Sequence, residues 1–172
     1  MPLKDTLNRL REQEQQEKQD RRALISGWKS AVNALLTQIR NYLSEYEQDG
    51  SLVIKQRGMR LTEENLGAYE ISAMDIQAGP ILVLIQPVGL MVTGAEGRVD
   101  MHRQGRPSEE HRIMLLRMRP SGPSSTPAWF ITLPRDTTGF QTQVYATPTP
   151  TRGRIEPLSK EALERAVDIL LK

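Results

Sequence analysis

The sequence contains no cysteine, only two histidines, and few aromatic residues, which make up 5% of its 172 positions. Without cysteine there is no disulfide framework, no thiol nucleophile and no thiolate metal ligand. The longest apolar run, Pro80 to Ile85, is far shorter than the roughly 20 residues that a membrane-spanning helix needs. We therefore expect one domain that buries a hydrophobic core of its own, which a chain of this length can do.

The chain also lacks a strong charge of either sign. It carries 23 basic and 21 acidic residues, for a net charge of +2. So small an excess argues only weakly for a nucleic-acid or anionic-lipid partner. The polar opening from Met1 to Asp5 does not have the apolar segment of a secretory signal. A cytoplasmic location with no membrane association is the expectation.

Residues 1–49 are predicted to form one long helix. Between Leu3 and Tyr46 there is no proline and a single glycine, Gly27, where the helix could kink. The pair Asp49-Gly50 is typical of a helix end, since glycine readily adopts the left-handed conformation found there. At 1.5 Å per residue such a helix is roughly 65 Å long, more than a domain of this size spans.

The two halves of this helix differ in their apolar pattern. The second half has a heptad-like seam, typical of a coiled coil or of packing on a sheet, formed by Ile25, Trp28, Val32, Leu35, Ile39, Tyr42 and Tyr46. The first half has Leu3, Leu7 and Leu10, after which every residue from Glu12 to Arg22 is polar. A segment without an apolar stripe has nothing to bury, so residues 1–22 are predicted to project from the fold.

Residues 50–172 are predicted to form a β-meander with a terminal helix. Short apolar or alternating runs are separated by turn residues, with one turn at Arg57-Gly58. Ser159 suits the N-cap of a last helix whose apolar face holds Leu163, Ala166 and Leu170. The fold class is α+β: a long N-terminal and a short C-terminal helix on an antiparallel sheet of six or seven strands. The segments with a strand pattern, most of which are expected to join this sheet, lie around 52–54, 69–73, 80–86, 90–93, 98–103, 111–119, 129–133 and 143–145.

The hairpin from Arg98 to Arg119 carries both histidines of the chain. A turn centred on Arg106-Pro107 would place His102 opposite His111 and Asp100 opposite Ile113, with Val99, Met101, Met114, Leu116 and Met118 on the core face. His102, His111 and Asp100 would then form a candidate divalent-metal or acid–base set. The competing interpretation is that both histidines are solvated and inert, and it is the one we favour.

Arginines are frequent in the same hairpin, and Arg98, Arg117 and Arg119 are the candidate anion-binding residues. Guanidinium groups match phosphate oxygens in bidentate fashion, so a basic sheet face could bind nucleic acid or another polyanion. Asp100, Glu109 and Glu110 dilute that charge, and exposed aromatic side chains for base stacking are few. Ordinary solvated strand arginines are the simpler interpretation.

The run Pro87-Val88-Gly89 followed by Gly94-Ala95-Glu96-Gly97-Arg98-Val99-Asp100, together with the Trp129 strand and the helix at 157–163, resembles a family of uncharacterised bacterial proteins. The resemblance implies a leading helix, a β-meander and a short last helix in a bacterial cytoplasmic protein. It carries over no catalytic residues.

We find no sequence motif of an enzyme and expect no cofactor. The first hypothesis is a non-catalytic interaction or scaffolding protein whose N-terminal helix binds a partner protein or a second copy. Its candidate partner-binding residues are Trp28, Val32, Leu35 and Ile39 on the helix seam. The alternative is that this seam packs on the chain's own sheet, with Trp28 as a core anchor. Polyanion binding by the arginine hairpin is the second hypothesis, and a metal-dependent enzyme is the third.

Overall fold

The computed structural model describes residues 1–106, 112–134 and 154–172. Within these ranges there are three helices and seven strands. In chain order they are α1 (Pro2–Tyr42), α2 (Ser44–Gln48), β1 (Val53–Glu63), β2 (Gly67–Ala78), β3 (Ile81–Gly89), β4 (Arg98–Arg103), β5 (Ile113–Met118), β6 (Ala128–Leu133), β7 (Arg154–Pro157) and α3 (Lys160–Leu171).

The seven strands form one sheet whose spatial order is the chain order, β1 to β7. Each neighbouring pair is antiparallel, so the sheet is a simple meander. The predicted α+β fold, with its long first helix and short last helix, is confirmed. Helices α1 and α3 contact each other and the same sheet, α1 chiefly over β2 and α3 over β3, β4 and β6.

The core lies between the helices and the sheet. Helix α1 contributes five buried side chains to it, and the predicted apolar face of α3 is buried as expected. Ser159 caps α3 as predicted, because its hydroxyl accepts a hydrogen bond of 3.1 Å from the Ala162 N–H. From the sheet side, fully buried residues come from every strand between β2 and β6, including Ile76, Ile85, Met101, Leu115 and Ile131.

Helix α1 is continuous through Gly27 and ends earlier than predicted. Its last residue is Tyr42, after which Leu43 leaves helical geometry and the short α2 follows. Gly50 has a φ of +83°, the left-handed conformation predicted for the helix stop. The helical region therefore ends where expected, but as two helices.

The β1–β2 hairpin is longer than predicted, and the turn expected at Arg57-Gly58 is wrong. Both residues lie inside β1, paired with Ala73 and Ser72 of β2. Residues 67–73 of β2 have no third strand beside them, because β3 pairs with β2 only from Met74 to Ala78. The buried face of β2 changes at this point from Met74 and Ile76 to Ala73, Ile71 and Tyr69. A two-stranded ribbon twists more strongly than a wide sheet. In the two-stranded part of the hairpin, the opposite face of β2 can therefore turn toward the core.

Three further strand predictions differ from the structure. Residues 90–93 form a loop with one isolated bridge, Val92 to Ala95, because β3 already ends at Gly89. The strand β7 was not predicted, since Arg154–Pro157 has only four residues, begins with a charged residue and ends in proline. The predicted strand at 143–145 lies outside the described residues.

The predicted register of the β4–β5 hairpin is wrong by one residue. Asp100 pairs with Met114 rather than Ile113, and Val99 pairs with Leu115. Ile113 and Leu115 are consequently buried in the core, while Met114, Leu116 and Met118 point to the opposite face and are half-buried. The sequence of β5 is apolar on both faces, so alternation could not select the register, and a one-residue shift exchanges the faces.

Candidate functional site

The first 24 residues form the most exposed part of the described chain, and we refer to residues 1–24 as the arm. Every side chain of the arm is exposed, whereas Trp28 is 1% exposed one turn later. Helix α1 therefore extends beyond the domain by about six turns, or roughly 35 Å. Residues 1–22, for which a projection is predicted, lie within the arm.

The arm retains its helix through local contacts. Side chains four residues apart are linked by Gln13 with Glu17, Glu14 with Lys18 at 3.0 Å, and Gln16 with Asp20 at 2.9 Å. Each such pair stabilises an isolated helix by about 0.2–0.5 kcal/mol. No described element packs against the arm, so its helicity depends on these pairs and on continuity with the buried half.

Three leucines form an apolar stripe along the outer end of the arm. Leu3, Leu7 and Leu10 are 69%, 45% and 52% exposed. Their spacing of four and three residues places them on one side of the helix. Lys4 and Arg11 both lie about 50° around the helix from Leu7 in the same direction, so they border one side of the stripe, while Asp5 lies on the opposite side of the helix. We refer to Leu3, Leu7 and Leu10 as the leucine stripe.

The four predicted partner-binding residues lie elsewhere, in the core of the chain itself. Val32, Leu35 and Ile39 are 0% exposed and Trp28 is 1% exposed. They are therefore not available to a partner in this fold. Their position is that of the alternative interpretation, in which the seam packs on the chain's own sheet. The apolar surface that remains on α1 is the leucine stripe and Leu24.

Trp28 marks the point where α1 enters the domain. Its ring lies over Gly97 and 6.2 Å from the ring centroid of Trp129. A Cβ at Gly97 would lie 2.3 Å from Cζ3 of Trp28, so only glycine fits beneath the indole. The indole N–H is buried and has no hydrogen-bond partner among the described residues.

Glu63 links the end of the β1–β2 hairpin to the loop after β3. Its Oε1 accepts hydrogen bonds of 3.0 Å from the backbone N–H groups of both Leu90 and Met91. Its Oε2 accepts a hydrogen bond from the Tyr69 hydroxyl. Burial, followed by this bond to the carboxylate, raises the pKa of Tyr69 well above its usual value of 10.0. Sequence reasoning missed this cluster because its partners are 27 and 28 residues apart and show no local pattern.

The three candidate anion-binding arginines do not form one site. Arg98 lies on the face of the sheet away from the helices, whereas Arg117 has the parity of Leu115 and lies on the helix side. Two of the three guanidinium groups are already paired, Arg98 with Asp100 at 2.7 Å and Arg119 with Glu96 at 2.7 Å. A polyanion would have to displace these carboxylates.

Asp100 is the most buried carboxylate of the described residues, at 3% exposure, and it is bound by two arginines. Arg98 donates to both of its oxygens, and Arg112 lies 3.2 Å from Oδ2. The two arginines compensate the free-energy cost of burying the charge of Asp100. Arg112, which sequence reasoning did not select, completes this structural cluster.

The predicted metal set is only partly described. His111 lies outside the described residues, and Asp100 is occupied by its two arginines. Burial, and next the charge of Arg112, lower the pKa of His102. Among residues 1–106, 112–134 and 154–172 no group of three histidine or acidic side chains is arranged to hold a metal ion.

No helix in the described part of the chain combines the length and the apolarity that crossing a bilayer requires. Comparisons with protein-family models, with curated proteins and with solved structures found no match. The resemblance to a bacterial family therefore adds nothing to the functional argument, which depends on the geometry alone.

Proposed function

We propose that the protein is a non-catalytic interaction protein and that its arm binds an apolar groove with an acidic rim on another protein. The observation that supports this function best is the arm itself, a helix of about six turns with every side chain exposed. Leucines at positions i, i+4 and i+7 are the anchors by which amphipathic helices enter grooves. Lys4 and Arg11 beside the stripe favour an acidic rim on the partner.

A second copy of the chain is a poorer occupant of the leucine stripe. In a parallel pairing the positions that continue the stripe, Glu14, Glu17 and Arg21, would meet identical charges. In an antiparallel pairing along the arm the leucines would lie on those same charged positions. Overlap of the tips alone would bury three leucines per chain, which falls short of the ~1,200 Å² of a specific interface. A groove on another protein can also contact the flanking side chains.

A site-specific photo-crosslinking experiment in cells tests this proposal. A photoreactive residue replaces Leu7 in the full chain, and a matched control places it at Asp5, on the opposite side of the same helical turns. We expect one discrete adduct from position 7 that is weak or missing from position 5. The adduct should disappear when Leu3→Asp and Leu10→Asp are added.

Identification of the crosslinked protein completes the test. The purified partner should bind the wild-type chain and should lose at least tenfold in affinity for the variant with Leu3→Asp, Leu7→Asp and Leu10→Asp, since each substitution buries an unpaired charge. Equal adducts at both positions, or none, would contradict the proposal. Retention of the chain on vesicles of anionic phospholipid, lost in the triple variant, would identify a membrane surface instead.

A further inference from the structure

The charged residues of the arm are separated by side. Measured from the middle of the leucine stripe, basic residues lie about 50–95° around the helix in one direction. We refer to them as the basic ridge, which consists of Lys4, Arg11, Lys18 and Arg22. The other polar residues on this side of the helix are the uncharged Asn8, Gln15 and Gln19. The ridge therefore has no acidic residue beside it on its own side of the arm.

The other border of the leucine stripe has a different charge. At about 45–110° in the opposite direction lie Thr6, Gln13, Glu17 and Asp20. This border is neutral toward the tip of the arm and acidic toward the domain. The stripe consequently runs between a positive border and a neutral-to-negative one.

The basic ridge is accessible and longer than the leucine stripe. All of its side chains are exposed. Within the described part of the chain only Lys18 of the ridge has an ion pair, with Glu14 at 3.0 Å, and so exposed a pair contributes little. From Lys4 to Arg22 the ridge is roughly 27 Å long, whereas the three leucines span roughly 10 Å. A partner that matches the ridge must therefore contact the whole arm and not its tip alone.

The unequal borders distinguish between possible partners of the arm. A helix that lies flat on an anionic membrane brings both borders of its apolar face to the negative surface, which would repel Glu17 and Asp20. Nucleic acid binds through its phosphates and offers little apolar surface for exposed leucines. A groove on a protein has two walls, and these can differ in charge.

We infer that the groove that binds the arm has two unlike walls. An acidic wall roughly 27 Å long faces the basic ridge, and a wall without acidic residues faces Glu17 and Asp20. These charges fix the direction of the helix in the groove, because a reversed helix would place Glu17 and Asp20 against the acidic wall. The inference rests on the proposed function and adds the charge and extent of the partner surface.

The first test reverses one charge on each side of the same helical turn. The full chain carries the photoreactive residue at position 7, and the yield of its adduct is measured in cells. Arg11→Glu should lower the yield about fivefold or more, since it places a carboxylate against the acidic wall. Arg9→Glu is the matched control, because Arg9 lies on the back of the helix, about 130° from the middle of the stripe. It should change the yield by less than about twofold.

The second test adds a positive charge on the other border. In a groove with unlike walls, Glu17→Lys faces a wall that offers no carboxylate, so the yield from position 7 should not rise. An anionic membrane or nucleic acid would instead bind this variant more tightly. Retention of the purified variant on anionic vesicles and on duplex DNA is measured beside the adduct.

The third test maps the two walls directly. A photoreactive residue replaces either Gln15, beside the ridge, or Gln13, on the other border. Mass spectrometry then identifies the partner fragment that each position reaches. The fragment from position 15 should be rich in aspartate and glutamate, and the fragment from position 13 should not.

Three outcomes would overturn the inference: equal losses of the adduct in Arg9→Glu and Arg11→Glu, a stronger adduct in Glu17→Lys, and acidic fragments from both position 13 and position 15. An adduct from position 7 that Arg11→Glu leaves unchanged would reject the unlike walls and leave the proposed arm function standing. If position 7 gives no adduct in the otherwise wild-type chain, the arm function and this inference fail together.

Discussion

Helix α1 contains two halves with the same backbone and opposite surroundings. From Trp28 to Ile39 its seam is buried against β2 and α3, and from Pro2 to Leu24 every side chain is exposed. The buried half derives its stability from apolar burial, at roughly 25 cal/mol per Å². The exposed half has only local pairs worth a few tenths of a kcal/mol each. One helix can therefore be a core element at one end and a recognition element at the other.

The largest expected effect is in the buried half. Leu35→Ala should lower the free energy of unfolding by about 2–5 kcal/mol, because Leu35 is 0% exposed and its loss leaves a cavity. Urea unfolding followed by circular dichroism measures the change. A loss below about 1 kcal/mol would mean that α1 does not anchor in this core.

Gly97→Ala tests the contact at which α1 enters the domain. Gly97 has a φ of +144°, and an added Cβ would lie 2.3 Å from the Trp28 ring. Strained backbone and overpacking together should cost about 2–4 kcal/mol. The near-ultraviolet circular dichroism of the tryptophans should change as well. An unchanged spectrum with unchanged stability would contradict the described packing of Trp28.

Tyr69→Phe removes the hydroxyl that donates to Glu63 and should cost about 1–3 kcal/mol at neutral pH. The folded-state pKa of Tyr69 is raised above its ordinary 10.0, so above pH 10 the unfolded state loses a proton that the folded state keeps. The stability of the wild type should therefore fall as the pH rises above 10, by up to about 1.4 kcal/mol per unit from this group.

The matched measurement is the pH dependence of Tyr69→Phe itself. It lacks the titrating hydroxyl, so its stability should fall less steeply than that of the wild type between pH 10 and pH 11. Parallel curves for the two proteins would show that Tyr69 is not bound to Glu63 in solution.

Gly27→Ala tests the junction between the two halves of α1. Gly27 is helical, and a Cβ there would meet nothing within 4 Å. Alanine should stabilise the protein by about 0.5–1 kcal/mol, because it reduces the entropy of the unfolded chain and favours the helix. Thermal unfolding measures the gain. A destabilised variant would indicate that the junction bends in solution.

The smallest expected effect is in the arm. Leu7→Ala should change the free energy of unfolding by less than about 0.5 kcal/mol, since Leu7 has no tertiary contact to lose. The comparison with Leu35→Ala uses the same substitution in the same helix. A loss approaching that of Leu35→Ala would mean that the arm packs on the domain, and the proposed recognition role would lose its basis.

Much of the fold could be predicted because its signals are local. The seam from Trp28 to Ile39, the polar stretch from Glu12 to Arg22 and the cap at Ser159 each act over one or two helical turns. The turn at Arg57-Gly58 was predicted wrongly for a related reason. The pair Arg57-Gly58 looks the same in sequence whether it lies in a turn or inside a strand. Only its pairing with β2 distinguishes the two.

The candidate site was harder to predict than the fold. The predicted partner-binding residues were selected for their apolar spacing, but spacing does not say whether a seam meets the chain's own sheet or another protein. The predicted metal and anion sets depended on a hairpin register that a strand with two apolar faces cannot specify. Glu63 with Leu90 and Met91 is a contact between distant segments and has no signature in the sequence.

By itself the sequence determined which segments are helical, where α1 begins and ends its apolar seam, and that residues 12–22 have nothing to bury. These properties follow from the side-chain period of each segment and its nearest neighbours. Tertiary structure alone decided that the seam is covered internally, that Asp100 is bound by Arg98 and Arg112, and that β1 is the first strand of the described sheet. Those properties depend on which distant segments meet, and the free energy of such contacts is set by strand order and register rather than by local pattern.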